Sequence, residues 1–412
     1  MASPCTGAMN LRVFEKNSLL VAMALFIAFG LLLLLSTGGE ISSITSDIDM
    51  YNHYVVSRFP DLVSESAKSI ENSSARIEYF DQTGWTPSPF YSIIFLSPIW
   101  LFSSDLLLWA AGMAIGMSTI FVAHFLLERH FDFLSKSAKG LIVILFSLNF
   151  NFIIDSVGVS TMSVAALFVM AAFAVRNSFL RALLFVGAAM TRSNFLIALF
   201  ALFVVSAFVS FKGKHHLIME CLPAFVVSIL FYKLYYSTYP GGGLNYLLFA
   251  SYQGLDYAVP FSRQLIGSVY GVQDSDALNF SMSPRDALKL LFRWDSLSYV
   301  FNLSVLKLSV SLGFIHEKLF KTDYGFYLAK IWRTLYFVCL TLPGTYSAIA
   351  LSWLSRLSVL ERMIYAWALI YLLLNSLLIG DPRYLMGVYF ILLVALFRLS
   401  ALLYSIQEGA KS

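Results

Sequence analysis

Two aspartates stand two residues apart in a polar stretch that follows the first apolar segment of the chain. They belong to the run Ser46-Asp47-Ile48-Asp49-Met50-Tyr51. A carboxylate can act as a general base, which accelerates a reaction by about 10²–10⁴, or it can bind a hard cation through oxygen. Two carboxylates are too few to define a metal site, so a divalent cation at Asp47 and Asp49 stays open. Because other acidic residues crowd this stretch, a solvated acidic loop is an equally good interpretation.

Two arginines stand in short polar turns between apolar runs. The first lies in Thr191-Arg192-Ser193-Asn194 and the second in Gly380-Asp381-Pro382-Arg383-Tyr384. A planar, permanently charged guanidinium suits bidentate binding of a phosphate, and a charge at membrane depth is costly without a partner or water. The structural alternatives are an Arg192 that reaches lipid headgroups and an Arg383 that pairs with Asp381.

Aromatic and proline residues follow the acidic stretch, in the run Trp85-Thr86-Pro87-Ser88-Pro89-Phe90-Tyr91. The rings of Trp85 and Tyr91 can stack on the face of a sugar or on a lipid chain. Aromatic residues are also enriched in the interfacial belts of membrane proteins, and that interpretation is favoured for any single ring.

The composition indicates that a membrane must position these residues. Of 412 residues, 58% are hydrophobic and only 13% are charged, and the mean hydropathy is +0.75. A soluble globular domain carries about 25% charged residues, so a soluble fold is excluded. Backbone groups in hydrocarbon must pair within their own segment, which predicts helices. The net charge of +4 is spread along the chain without a long Lys/Arg run, so no nucleic-acid partner is expected.

The apolar runs predict an all-α polytopic membrane protein with about ten transmembrane helices, in a single integral-membrane domain over 1–412. Several runs are too short to cross about 30 Å of hydrocarbon straight, so we expect them to lie within the bundle and to meet water-filled recesses. The predicted spans are 18–36, 106–127, 141–154, 161–175, 179–190, 195–211, 217–236, 330–353, 363–379 and 385–403.

Basic residues in the short connections all fall on one side of this topology, which predicts that side to be cytoplasmic, with both termini there. They are Arg12, Lys16, Arg129, Lys136, Lys139, Arg176, Arg181, Lys212, Lys214, Arg356 and Arg362. The opposite face then receives a large first outer loop, 37–105, and a second outer region, 237–329, together with Asp155. The first loop contains a re-entrant or interfacial helix at 87–102. Segment 296–315 could be an eleventh span, although Lys307 at its middle argues against that.

The order of these motifs resembles the GT-C superfamily of integral-membrane glycosyltransferases, which includes mannosyltransferases that use polyprenyl-phosphate sugars. The resemblance covers most of the chain. It consists of one span, an outer loop that opens with the acidic pair, the proline-aromatic run, helices joined by the Thr191-Arg192 turn, and Pro382-Arg383-Tyr384 before the last span.

The resemblance implies transfer of a sugar from a polyprenyl-phosphate donor to a cell-envelope or lipid-linked glycan acceptor at the non-cytoplasmic face. Direct displacement of the phosphate predicts inversion at the anomeric carbon. It implies catalytic roles for Asp47 and Asp49 and binding of the donor phosphate by Arg192 and Arg383. The residues expected to bind substrate are Tyr51, Trp85, Tyr91, Asn194 and Tyr384. A bacterial inner (plasma) membrane is favoured over the endoplasmic reticulum. An outer-face polysaccharide polymerase and a lipid or sugar transporter (flippase) are the alternatives.

Overall fold

The computed structural model describes residues 5–36, 105–158, 160–191, 195–210, 331–354, 357, 359–378 and 385–409, and single helical positions at 222, 226, 227, 230 and 308. Within these residues the chain is helical and contains no strand, which confirms the all-helical prediction for the described part. The helices are α1 Cys5–Ser36, α2 Asp105–His130, α3 Lys136–Ser147, α4 Phe150–Val157, α5 Thr161–Ala174, α6 Ser178–Thr191, α7 Phe195–Ser210, α8 Ile331–Trp353, α9 Val359–Leu378 and α10 Met386–Gly409.

The predicted spans coincide with these helices, except that 217–236 lies outside the described residues apart from its single positions. Four helices are long and apolar enough to cross a membrane, namely α1, α2, α8 and α10. The predicted span 141–154 is broken instead into α3 and α4, whose axes differ by 58°, and this pair is a fifth candidate. The described helices are therefore compatible with a membrane protein. The count of about ten crossings and the cytoplasmic termini stay predictions.

Helices α3 and α5 begin at serine caps, an exposed one before α3 and a fully buried one before α5. The side chain of Ser135 accepts a hydrogen bond from the Ala138 N–H at 3.2 Å, before α3. The side chain of Ser160 accepts one from the Met162 N–H at 3.1 Å, before α5. A cap of this kind satisfies one of the backbone donors that a helix leaves unpaired at its start. Individual serines therefore help to set where these two helices begin.

Phenylalanine rings tie the first, middle and last helices into one core. The ring centroid of Phe152 on α4 lies 5.3 Å from that of Phe26 on α1 and 4.8 Å from that of Phe146 on α3. The Phe146 ring in turn lies 5.5 Å from Phe390 on α10. All four side chains are fully buried or nearly so. Large buried rings of this kind contribute most of the packing energy of a core.

Contacts between helix termini distinguish the two ends of the bundle. Arg129 and His130, at the end of α2, bind the carbonyls of Ala174 and Phe173, so α2 and α5 end together. We call this the inner end, because it holds basic residues of the predicted cytoplasmic connections. The opposite end is the outer end. There, Gly30 of α1 faces Met113 of α2, close to the start of that helix.

Helices α6 and α9 run from the inner end toward the outer end, whereas α7, α8 and α10 run in the opposite direction. The short turn after α5 returns the chain as α6, and the rings of Phe173 and Phe185 lie 5.7 Å apart between them. At the inner end, Glu361 of α9 pairs with Arg398 of α10 at 3.2 Å. Helix α9 runs toward the outer end and α10 runs away from it. The described residues next to 37–104, 192–194 and 379–384 lie in the outer half of the bundle. They are Ser36, Asp105, Thr191, Phe195, Leu378 and Leu385.

Several helices end before they reach the outer end of the bundle, which α2 does reach. From their shared inner end, α2 runs for 26 residues and α5 for 14. At a rise of 1.5 Å per residue, α5 reaches about 18 Å less far than α2. Helices α3 and α6 are also short, with 12 and 14 residues. Helices of this length, about 18–21 Å at 1.5 Å per residue, would not reach across a hydrocarbon layer of about 30 Å.

The close approach of α2 to α4 yields a first prediction, on Gly112. A Cβ on this glycine would collide with the carbonyl oxygen of Ser156 and would lie 2.7 Å from that of Val157. These are backbone atoms, so α4 would have to move. We expect Gly112→Ala to lower the free energy of unfolding by about 1–3 kcal/mol, the usual cost of overpacking. The measurement is thermal unfolding of the purified protein in detergent.

The matched control is Gly187→Ala on α6. A Cβ there would meet the Phe168 ring at 3.6 Å, an ordinary van der Waals contact. Since alanine favours helix over glycine by about 1 kcal/mol, this variant should be as stable as the wild type or more stable. Equal unfolding temperatures of the two variants would contradict the proposed contact between α2 and α4.

Candidate functional site

Buried polar side chains concentrate in the outer half of the described bundle, at the depth where the short helices stop. We call this set the polar layer. Its members come from the α3–α4 break, the starts of α5 and α8 and the ends of α6 and α9: Asn149, Asn151, Asp155, Ser156, Ser160, Thr161, Ser163, Thr191, Arg333, Asn375 and Ser376. Burial of polar groups in a membrane is costly, so such a cluster is a candidate functional site.

The break between α3 and α4 is built by Asn149. Helix α3 ends where the Leu148 N–H donates to the carbonyl of Ile144 at 3.2 Å. The side-chain oxygen of Asn149 then accepts a hydrogen bond from the Phe152 N–H at 3.1 Å and so caps the start of α4. Asparagine is among the best N-cap residues because its side chain replaces the missing backbone acceptor. The chain can therefore turn by 58° inside the bundle without losing these pairings.

Two carbonyls at the end of α3, those of Leu145 and Leu148, accept hydrogen bonds from side chains of α8. The indole N–H of Trp332 donates to the Leu148 carbonyl at 2.9 Å. The hydroxyl of Tyr336 donates to the Leu145 carbonyl at 3.1 Å. An unsatisfied carbonyl in hydrocarbon costs several kcal/mol, so these two side chains make the break tolerable.

Pro343 explains a local change of winding in α8. Proline has no N–H and its ring clashes with the preceding turn, so it cannot continue a regular α-helix. The turn before it, Phe337–Thr341, is π-helical, and the Leu342 N–H donates to the Phe337 carbonyl, five residues earlier. A single π turn rotates the residues on its two sides relative to each other and is frequent at functional sites.

Arg333 brings a positive charge into the polar layer. Its guanidinium donates to the side-chain oxygen of Asn151 at 2.7 Å, and its Cζ lies 4.8 Å from the ring centroid of Phe150. The residue is 9% exposed. A buried arginine is tolerated when hydrogen bonds and aromatic faces replace its water, and both are present here. The arrangement holds a cation in a fixed position next to the helix break.

Asp155 brings a carboxylate to the same helix. It is completely buried in α4, and its backbone carbonyl accepts a hydrogen bond from the Ser160 N–H at 2.9 Å. Residues four apart share one face of a helix, so Asp155 lies one turn beyond Asn151 on the face that Arg333 approaches. The sequence analysis assigned Asp155 only to an outer-face connection. The structure places it inside a helix of the polar layer.

The nine residues predicted to form a site all lie outside the described residues. They are Asp47, Asp49, Tyr51, Trp85, Tyr91, Arg192, Asn194, Arg383 and Tyr384. Three of their immediate neighbours in sequence are described, namely Thr191, Phe195 and Leu385, and Leu385 is fully buried. Thr191 is buried and its hydroxyl donates to the Gly187 carbonyl at 2.7 Å. Phe195, which follows Asn194, has its ring 6.5 Å from that of Tyr371, one turn before Asn375 of the polar layer.

No group of three or more potential metal ligands occurs among the described residues. The predicted divalent cation at Asp47 and Asp49 falls outside that part of the chain. It stays a prediction.

The sequence analysis missed Arg333 and Asn151 as members of a site. The sequence did contain a signal for Arg333, because an arginine inside a predicted span is rare and costly. Arg333 falls within the predicted span 330–353, and Asn151 within 141–154. Neither position can be paired with the other from sequence spacing, since 182 residues separate them.

Comparisons of the chain with known protein families, with curated proteins and with solved structures found no match.

The side-chain donors of α8 yield a second prediction. Tyr336→Phe removes only the hydroxyl and leaves the Leu145 carbonyl without this buried donor. We expect the free energy of unfolding to fall by about 1 kcal/mol, the typical net contribution of a hydrogen bond. The measurement is denaturant or thermal unfolding in detergent.

Tyr346→Phe is the control, because the Tyr346 side chain lies on the same helix and is 68% exposed. It should change the unfolding free energy by no more than about 0.5 kcal/mol. If Tyr336→Phe were equally silent, the carbonyls at the α3 end would not depend on α8.

Proposed function

We propose that the protein is a glycosyltransferase that uses a polyprenyl-phosphate-linked sugar at the non-cytoplasmic membrane face, within a GT-C-like fold. The acceptor is a cell-envelope or lipid-linked glycan, and the favoured location is a bacterial inner membrane. The proposal starts from the order of motifs in the sequence. It is supported by one structural observation: the described residues that flank the predicted motifs all lie in the half of the bundle that contains the polar layer.

The charge distribution of the described residues also supports the proposal. The cations Arg129, Arg181 and Arg398 bind partners at the inner end, which the proposed topology places on the cytoplasmic side. The outer half contains Arg333 and Asp155, which are both buried. A donor phosphate at the outer face would thus meet fixed charge in surroundings poor in water, where electrostatic stabilisation is strongest.

In the proposed reaction, Asp47 or Asp49 removes the proton from an acceptor hydroxyl. The oxygen attacks the anomeric carbon, a new glycosidic bond forms, and the bond between that carbon and the phosphate oxygen breaks. Polyprenyl phosphate leaves with the electron pair, and the configuration at the anomeric carbon inverts. Arg192 and Arg383 stabilise the charge that develops on the departing phosphate. Tyr51, Trp85, Tyr91, Asn194 and Tyr384 hold the sugar and the lipid.

A transporter is the second candidate, and one observation favours it. The span α3–α4 is broken at Asn149, next to the buried Asp155 and Arg333. Discontinuous helices with polar groups near the middle of the membrane are typical of substrate sites in transporters. An outer-face polysaccharide polymerase remains a variant within glycan chemistry.

Reconstituted vesicles separate the three functions. Transfer of a single sugar from a polyprenyl-phosphate donor supports the proposed transferase, and block-wise growth of a chain supports a polymerase. Movement of the lipid-linked sugar across the membrane without a new bond supports a transporter. The last outcome would overturn the proposal.

A third prediction concerns the acidic pair. Asp47→Asn and Asp49→Asn each keep the side-chain size and remove the charge. We expect at least one of them to abolish transfer while the protein inserts normally into the membrane. Arg192→Ala and Arg383→Ala should each lower the rate about 10²–10³-fold, the usual loss for one preorganised electrostatic contact. The measurement is sugar transfer in proteoliposomes of equal protein content.

Asp61→Asn is the matched control, since Asp61 is another acid of the same predicted outer loop. It should keep wild-type turnover. Wild-type turnover in both Asp47→Asn and Asp49→Asn would remove the acidic pair from the mechanism.

A further inference from the structure

The inner end of α5 is closed by cationic side chains from its two neighbours. The last carbonyls of this helix, at Phe173, Ala174 and Val175, accept hydrogen bonds from three different side chains. The donors are His130 and Arg129 at the end of α2 and Arg181 in the first turns of α6: His130 Nε2 lies 3.2 Å from the Phe173 oxygen, and the Arg181 guanidinium lies 2.7 Å from the Val175 oxygen. Cations favour the C-terminus of a helix because its carbonyls carry partial negative charge.

These contacts bring two guanidinium groups to the same helix end. Because Ala174 and Val175 are consecutive, the carbonyls that Arg129 and Arg181 bind are neighbours. The connection between α5 and α6 adds Arg176, which is exposed. Arg176 directly follows Val175, whose carbonyl binds Arg181, so the three arginines lie around the same end of α5. We call these three arginines the inner cationic surface.

Acidic residues nearby do not neutralise this surface. Glu128 precedes Arg129, but its carboxylate pairs with Lys139 of α3 at 3.3 Å. Asp132 is exposed on the connection between α2 and α3 and supplies one negative charge. Three arginines against one such carboxylate leave an excess of positive charge at the inner end.

Exposed apolar side chains continue from the inner cationic surface toward the middle of the membrane. On α2, Phe121 and Phe125 are exposed and stand at intervals of four residues before Arg129, so the three share one face of the helix. The Arg129 guanidinium lies 5.8 Å from the Phe125 ring. On α6, Phe179 and Leu183 are also exposed. Charge at the membrane surface with apolar rings beneath it matches the profile of a phospholipid.

We propose that the inner cationic surface binds an anionic phospholipid of the adjacent leaflet. The lipid phosphate contacts Arg129 and Arg176, and Arg181 contributes its charge. The acyl chains lie along Phe125 on α2 and Phe179 on α6. Each guanidinium carries five N–H donors, so a guanidinium that binds one carbonyl can also reach a phosphate oxygen. The exposed rings distinguish this site from one for free phosphate, which offers no apolar part to cover them.

The test compares phosphatidylglycerol with phosphatidylcholine on the full-length protein in detergent. We expect phosphatidylglycerol to raise the unfolding temperature more and to stay bound in native mass spectrometry. Arg129→Gln and Arg176→Gln should each weaken its apparent affinity about fivefold, the effect of one basic residue at an anionic membrane surface. Inorganic phosphate at the same concentration should leave the unfolding temperature unchanged.

The control is Lys136→Gln, which removes an equal charge at the same end. Lys136 is exposed in the first turn of α3, outside the inner cationic surface. It should leave the affinity for phosphatidylglycerol unchanged. An equal loss in Lys136→Gln and Arg176→Gln, or equal retention of the two lipids by the wild type, would overturn the proposal. Because Arg176 is exposed, its variant decides the matter even if Arg129→Gln unfolds.

Discussion

The described bundle depends on how it satisfies the backbone carbonyls at the helix break in its interior. Helix α3 stops in the interior, and the bilayer offers no water to pair with its last carbonyls. Trp332 and Tyr336 supply the donors from α8, and Asn149 caps the helix that follows. Without α8 the break would leave polar groups unpaired, at a cost of several kcal/mol for each. The helices α3, α4 and α8 therefore form one unit, because the break between α3 and α4 depends on the donors that α8 supplies.

Both ends of α5 must satisfy backbone groups that the helix leaves unpaired, N–H groups at its start and carbonyls at its end, and the two ends do so by different chemistry. At its start, deep in the bundle, a neutral hydroxyl of Ser160 caps the helix. At its end, near the predicted cytoplasmic surface, Arg129 and Arg181 bind the carbonyls. Neutral capping groups suit the interior because a charge there loses its hydration, whereas a surface cation keeps part of it. Arg333 is the exception in the described interior, and an amide oxygen and an aromatic ring surround its guanidinium.

The two candidate functions make different demands on the polar layer. A glycosyltransferase needs fixed charges, because preorganised groups stabilise the transition state without rearranging. A transporter needs the break at Asn149 to change shape as its substrate moves. The hydrogen bonds that join α8 to α3 and α4 restrain such movement, since they would have to break together. The observed pairing thus fits a rigid support beneath an outer-face site better than a moving gate.

The sequence by itself determined where the apolar helices lie and that the described chain is helical, because hydrophobic composition and the lack of alternative backbone partners act locally. It also predicted that the basic residues of the connections share one side, and Arg129 and Arg181 do lie at the same end of the described bundle. Only the tertiary structure divided the predicted span 141–154 into α3 and α4 and joined Arg333 to Asn151. The partners in the polar layer come from α8, more than 180 residues away along the chain. Local composition cannot specify such contacts, because their energy exists only after the helices have packed.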